Sequence, residues 1–232
     1  MALLSVEHVT RRFGGIVAVD DATLDVDAGQ IVGVIGPNGA GKTTLFNLVT
    51  RLYRPDRGEI VFDGESLLRT SPHRVVRRGI ARTFQNVELF RSMTVLEHVL
   101  MGRHARRGRG ARELIEYTGL QGLAHRPARE LPYGVQKRVE LARALASGPR
   151  LLLLDEPAGG LNHEEVQELG TRIRSLRADF DLTILLVEHH MGLVMGVADR
   201  VHVLDFGQVI ASGTPGEVQN DPAVIEAYLG TA

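Results

Sequence analysis

Apolar and polar residues follow three rhythms along the chain. In residues 1–30 they alternate in short runs, Leu3-Leu-Ser-Val6 and Ala22-Thr-Leu-Asp-Val26, and residues 59–63 (Glu-Ile-Val-Phe-Asp) repeat the pattern. Successive side chains of a strand point to opposite faces, so these runs predict an antiparallel sheet with one wet face. Residues 31–35, 151–154, 183–187 and 201–204 are nearly continuous apolar runs, the pattern of parallel strands buried on both faces. Between 95 and 147 the spacing turns helical, over Val95 to Met101, Arg112 to Tyr117 and Val135 to Ala146, and strand signals vanish. The expected fold class is α/β: a parallel-sheet core, an N-terminal antiparallel β subdomain, and a helical subdomain inserted between two parts of the core. The tail predicts a last strand near Gln208 to Ala211 and two short helices, with Pro215 and Pro222 at their starts.

Composition narrows the function classes. The 232 residues suffice for one domain with a substantial core. The formal net charge of −1 gives no reason to expect a nucleic-acid partner. With no cysteine, disulfides and thiolate metal sites are excluded. The start, Met1 to His8, lacks a basic stretch and a long apolar core, so no signal peptide is expected. Runs such as Leu151 to Leu154 and Ile184 to Val187 are too short to cross a bilayer, so a cytoplasmic chain attached to membranes only through a partner is expected. Basic residues are almost all arginine; Lys42 and Lys137 are the only lysines.

Lys42 stands in the most telling stretch, Gly36-Pro37-Asn38-Gly39-Ala40-Gly41-Lys42-Thr43-Thr44, which fits the phosphate-loop pattern G-x-x-x-x-G-K-[ST]. The apolar run before it predicts a strand, and Leu45-Phe-Asn-Leu-Val49 after it the first turns of a helix, which is the setting this motif needs. Glycines let backbone amides turn inward to phosphate oxygens, and the helix start adds partial positive charge. Lys42 can reach the β- and γ-phosphates of ATP, and the Thr43 hydroxyl can hold Mg²⁺. A second apolar strand, Leu151-Leu-Leu-Leu-Asp-Glu156, ends in two acids. Asp155 is placed to hold the Mg²⁺ hydration shell opposite Thr43, and Glu156 to polarise an attacking water as general base.

Gly36–Thr44, Gln85, Leu131–Val139, Leu151–Glu156, Ala158–Asn162 and His189 follow one another as the motifs of an ABC-transporter ATPase subunit do, and the resemblance covers the whole chain. Arg12-Phe-Gly-Gly15, Arg82 to Phe90, Met93-Thr-Val95, Asp155 to Asn162, Glu188-His-His-Met191 and the ending Asp221 to Gly230 resemble the ATP-binding subunit of branched-chain amino acid importers. The resemblance implies a P-loop NTPase of the ABC ATPase type with a RecA-like core. It implies one ABC domain over 1–232, in which 1–84 and 148–232 form the nucleotide-binding part and 85–147 the helical, signature-bearing part. Phe13 resembles the aromatic residue that stacks on adenine. Gln85 resembles the residue that touches Mg²⁺ or the attacking water, and His189 the switch histidine at the γ-phosphate; His190 is given no such role. The implied partners are ABC permease subunits, a second ATPase subunit or a second copy in a head-to-tail dimer, and indirectly a solute-binding protein. The place implied is the cytoplasmic face of the inner membrane. Importers of urea or short amides, a lipopolysaccharide exporter and a soluble, non-transport ABC ATPase are the alternatives of related motif content.

One motif departs from the family. The usual signature reads Leu-Ser-Gly-Gly-Gln, in this subfamily often Leu-Ser-Tyr-Gly-Gln, and here it reads Leu131-Pro132-Tyr133-Gly134-Val135 before Gln136. Proline supplies neither the serine hydroxyl nor an N–H. This subunit is therefore expected to bind ATP on its own loop and to offer a weakened signature to its partner's nucleotide. The segment through Phe90, Met93, Thr94 and Val95 is expected to receive a short helix of the membrane subunit. Arg103 to Arg112 is the one concentrated basic stretch; its glycines favour a solvated loop, with acidic lipid or an acidic partner loop as the sharper reading.

Overall fold

The computed structural model describes residues 2–106 and 108–229; Arg107 of the basic stretch and Gly230 of the tail motif lie outside them. The chain forms two compact units, one of residues 1–72 and 153–232 and one of residues 73–152.

The first unit opens with the long hairpin β1 (Ala2–Phe13) and β2 (Ile16–Asp27), antiparallel with Val6 opposite Leu24 and Phe13 opposite Ile16. Leu4, Val6 and Val9 of β1 and Val19, Ala22, Leu24 and Val26 of β2 are buried, which is the one-faced alternation read from the sequence. Strand β3 (Ile31–Ile35) is wholly buried and leads through the glycine-rich loop into α1 (Lys42–Val49). The strand β4 (Arg57–Phe62) pairs with β1, placing Ile60 opposite Val6, and a short β5 (Glu65–Ser66) completes a sheet of order β2-β1-β4-β5.

The second unit begins in α2 (Pro72–Arg78) and continues through β6 (Ile80–Thr83) to the helices α3 (Val95–Ala105), α4 (Ala111–Tyr117) and α5 (Tyr133–Ala146). A capping box starts α3: the Thr94 hydroxyl accepts from the Glu97 amide and the Glu97 carboxylate from the Thr94 amide. Strand β7 (Leu151–Asp155) starts in this unit, where the Leu151 amide donates to Gly79, and runs on into the first.

The first unit then closes with α6 (His163–Phe180), β8 (Thr183–Val187), α7 (Met191–Val197), β9 (Arg200–Asp205), β10 (Gln208–Gly213), α8 (Pro215–Gln219) and α9 (Pro222–Leu229). Its second sheet has the order β10-β9-β3-β8-β7. Strand β3 runs parallel to both neighbours, with Gly33 opposite Leu186 and Val201, and β10 returns antiparallel to β9. Both tail prolines start helices. Patterning did not anticipate β5, α2, β6, α6 or α7. β6, Ile80-Ala-Arg-Thr83, is only four residues with a charge in it. α6 buries only Val166, Gly170, Ile173 and Leu176, too narrow a stripe to stand out among its charges.

Candidate functional site

Two strand ends and one loop of the first unit meet around Lys42. The loop 36–41 holds Gly36, Gly39 and Gly41 at φ of 151°, 85° and 102°. A Cβ on Gly36 would collide with the Leu204 carbonyl oxygen, and one on Gly41 with the Ala18 carbonyl oxygen, so neither position admits another residue without moving backbone. Gly41 is the N-cap of α1 and supplies no capping side chain, and no acid sits in the first turn. The leading amides of α1 are therefore left for an anion. Lys42 is buried, and its ammonium donates to the carbonyls of Gly36 (2.7 Å) and Pro37 (2.9 Å). Burial lowers its pKa, and the charges of Glu156 and Asp155 oppose that shift. Both acids thus lie within electrostatic reach of the loop lysine.

Asp155 closes β7 and is buried; Glu156 follows with φ at +46°, its amide donating to Val187 at the end of β8 (2.9 Å). A left-handed glutamate at a strand end is strained, and the hydrogen bond to β8 holds it there. Just beyond β8, His189 brings Nδ1 to 3.7 Å from the Glu156 carboxylate, with more than half of its side chain in solvent. The loop, the two acids and the histidine are thereby assembled in one unit. Phe13, at the end of β1, lies edge-on to Tyr53, the ring centres 5.0 Å apart.

Several supporting residues escape a reading by motif. Glu188 is fully buried; one carboxylate oxygen accepts from the Ala158 amide (2.6 Å) and the other from the amides of His189 and His190 (3.1 Å each). It fixes both the backbone that carries His189 and the start of the segment Ala158–Asn162. His190 serves the fold, since its Nδ1 accepts from the Leu193 amide and caps α7. In α9, burial raises the pKa of Tyr228, and a hydrogen bond from the Gly36 backbone amide opposes the rise. An acid ending an apolar strand was a signal available for Glu188; nothing in the sequence announces the Tyr228 contact.

Gln85 and residues 132–136 belong to the second unit. Pro132 is the N-cap of α5, extended at φ −56° and ψ 151°, and gives no side-chain cap. Pro132, Tyr133 and Gly134 are exposed. Val135 and Gln136 turn their amides back to the Pro132 carbonyl (2.9 and 3.0 Å), and the Gln136 side chain donates to Leu131 (2.8 Å). The Tyr133 hydroxyl donates to the Gln85 carbonyl (3.2 Å), a link between two motifs that the sequence does not reveal. Gln85 itself is exposed. The loop after it is pinned to the helices. Arg143 donates to the Glu88 carbonyl (2.6 Å), and the Phe90 amide donates to His98 Nε2 (3.0 Å). His98 is fully buried, with Nδ1 2.9 Å from the Thr94 carbonyl, so Nδ1 carries the proton; burial lowers its pKa. Burial likewise raises the pKa of Glu140, and the adjoining Arg143 opposes that. Phe90 is left 60% exposed.

A parallel sheet that runs into a phosphate loop and then a helix, with acids and a histidine at neighbouring strand ends, defines a class: a nucleotide-triphosphate-binding ATPase. Residues 19–159 match the family model of the ABC transporter, and the chain belongs to that family as its ATP-binding, ATP-hydrolysing subunit. Residues 208–232 match a second model, the branched-chain amino acid ATP-binding cassette transporter. Among curated relatives, the chain is 42% identical to the high-affinity branched-chain amino acid transport ATP-binding protein BraF of Pseudomonas aeruginosa, covering 99% of this chain and 98% of that one. It is 43% identical, with the same coverage, to the corresponding protein LivG of Escherichia coli. Among solved structures it is similar to the ADP conformation of an ABC-transporter ATP-binding cassette, at 30% identity, TM-score 0.88 and full coverage of both chains. No helix among the described residues is long and apolar enough to cross a membrane.

Proposed function

We propose that the chain powers an importer of branched-chain or related amino acids, docked on permease subunits at the cytoplasmic face of the membrane and served by a solute-binding protein. The observation that carries the reading is the gathering of Lys42, Asp155, Glu156 and His189 in one unit. The tail match, together with full-length relatives that carry branched-chain amino acid transport in their names, favours this cargo over urea, short amides or lipopolysaccharide.

In this reading adenine stacks on Phe13, and the triphosphate lies along the amides of Asn38, Gly39, Ala40, Gly41, Lys42, Thr43 and Thr44, with Pro37 shaping the entry to the loop. Lys42 turns its ammonium from the Gly36 and Pro37 carbonyls to the β- and γ-phosphates. Asp155 and the Thr43 hydroxyl would supply oxygen donors of the kind that suits Mg²⁺. A Mg²⁺ ion held there would neutralise charge that develops on the phosphates. Glu156 accepts the proton of the attacking water, and His189 steadies the γ-phosphate. Pro132, Tyr133, Gly134, Val135 and Gln136 are presented to the nucleotide of the partner ATPase in a head-to-tail pair, the domains dividing as 1–84 with 148–232 and 85–147. The weakened signature favours a sister ATPase as that partner.

The test is reconstitution of the chain with its permeases and a binding protein in vesicles. Mg-ATP-dependent uptake of labelled leucine, lost in Glu156→Gln, is expected; ATP hydrolysis coupled only to another solute overturns the cargo.

A further inference from the structure

The end of β1 carries an arrangement that the motifs do not explain. The Arg11 guanidinium carbon lies 4.6 Å from the centre of the Phe13 ring and 6.0 Å from that of Tyr53. One guanidinium nitrogen donates both to Asp56 Oδ1 (3.0 Å) and to the Arg54 carbonyl (3.1 Å). The other Asp56 oxygen accepts from the Arg12 amide (2.7 Å), and the Asp56 amide donates to Thr10 (2.8 Å). One aspartate therefore grips β1 on both sides of Arg11 and aims the side chain between. The Tyr53 amide donates to the Asn47 carbonyl (3.0 Å), which ties the second ring to the helix that begins at Lys42.

An ion pair this accessible adds little to stability, because solvent screens it and ordering a long side chain costs entropy. Its geometric effect is larger. A guanidinium stacked on a ring covers one face and is attracted to the electron density there. A planar base then has the opposite face on which to stack. We propose that Arg11, aimed by Asp56, is a positioning residue for the base. It fixes the plane of Phe13, with Tyr53 against the ring, and leaves one face for the purine. This inference rests on the stacking role proposed above for Phe13 and adds the residues that make the platform rigid.

Inorganic tripolyphosphate separates base from phosphates, because it has no ring to stack. Binding of ATP and of tripolyphosphate, each with Mg²⁺, is to be measured by calorimetry on the full chain and on its Asp56→Ala, Arg11→Met, Arg11→Lys and Phe13→Ala variants. ATP affinity is expected to fall about three- to tenfold in Asp56→Ala and Arg11→Met, the scale of one cation–π or aromatic contact, and less in Arg11→Lys. The KM for ATP should rise in step with kcat little changed, and tripolyphosphate should bind all variants alike. Parallel weakening of both ligands overturns the inference in favour of a general disturbance of the loop. Unchanged ATP affinity in Asp56→Ala and Arg11→Met, with Phe13→Ala weakened, overturns it while sparing the stacking role. Unchanged affinity in Phe13→Ala removes the platform altogether, and failure of the unmodified chain to bind either ligand removes the proposed function itself. Should Asp56→Ala not fold, the two Arg11 variants decide the matter, since Arg11→Lys keeps the charge and loses the planar fork.

Discussion

Residues 36–44 and residues 132–136 are both glycine-containing entrances to a helix, and the protein treats them differently. The first is bent by three glycines in the left-handed half of backbone space, closed by the neighbouring carbonyls of Ala18 and Leu204, and lined by a buried lysine. The second is extended only at Pro132 and helical from Tyr133 on, exposed over Pro132, Tyr133 and Gly134, and a Cβ on Gly134 would meet nothing within 4 Å. A site that must fold around a nucleotide on its own chain is shaped in advance by its own unit. A segment proposed to meet another subunit's nucleotide is kept open, and its chemistry depends on which side chains it exposes. The helix α5 forms behind Pro132, with Val135 in its first turn, as a regular helix over Tyr133–Ala146.

The sharpest way to break this comparison is to silence the first entrance. Glu156→Gln should lower ATP hydrolysis by about a hundred- to ten-thousandfold with ATP binding retained, measured as phosphate release beside equilibrium binding. A loss of binding as well would place Glu156 in the fold of the site instead of its chemistry. A matched pair of substitutions comes next. Gly36→Ala should cost about 2–3 kcal/mol of unfolding free energy, from positive φ and a backbone collision. Gly134→Ala, in the first turn of α5, should gain up to about 1 kcal/mol from helix propensity. Urea unfolding of the two proteins reads the difference in sign; equal effects would show that the signature is as constrained as the loop.

A smaller effect tests the signature itself. Pro132→Ser should raise turnover or ATP-dependent dimerisation with the partner ATPase by a few fold, up to about tenfold, the range of one hydrogen bond of ordinary net strength. No change in either would mean that the α5 N-terminus is sufficient without the hydroxyl. The smallest effect compares the units by pH. His98 in the second unit and His202 in the first are buried, and burial lowers the pKa of each below its ordinary 6.5. As pH falls through about 6.5 the unfolded chain takes up these protons first, so stability present at neutral pH declines toward the folded-state values. His98→Gln and His202→Gln should each flatten the fall in urea midpoint between about pH 7.5 and 5.5, the range over which an ordinary histidine titrates; a slope unchanged in both variants would assign the acid sensitivity elsewhere.

How much of this was legible depended on whether the cause was local. The alternation of β1, the buried runs of β3, β7 and β8, and the prolines heading α8 and α9 encode their elements in consecutive residues. So did the phosphate loop, because its glycines and lysine act within one short stretch. What stayed hidden depends on residues far apart in sequence. Glu188 matters through the Ala158 amide thirty residues away, Arg11 through Asp56, and Tyr133 through the Gln85 carbonyl. Asn162 and Glu165 do form a capping box at the start of α6, a local signal that the surrounding charge obscured.

Tyr228 carries a practical lesson for anyone handling the protein. Its phenol meets the amide of Gly36, so the final helix forms part of the wall behind the first residue of the phosphate loop. Trimming the carboxyl end at α9, or fusing a reporter tightly against it, would disturb that wall, and an altered affinity for ATP in such a preparation would reflect the cut or the fusion instead of the native subunit.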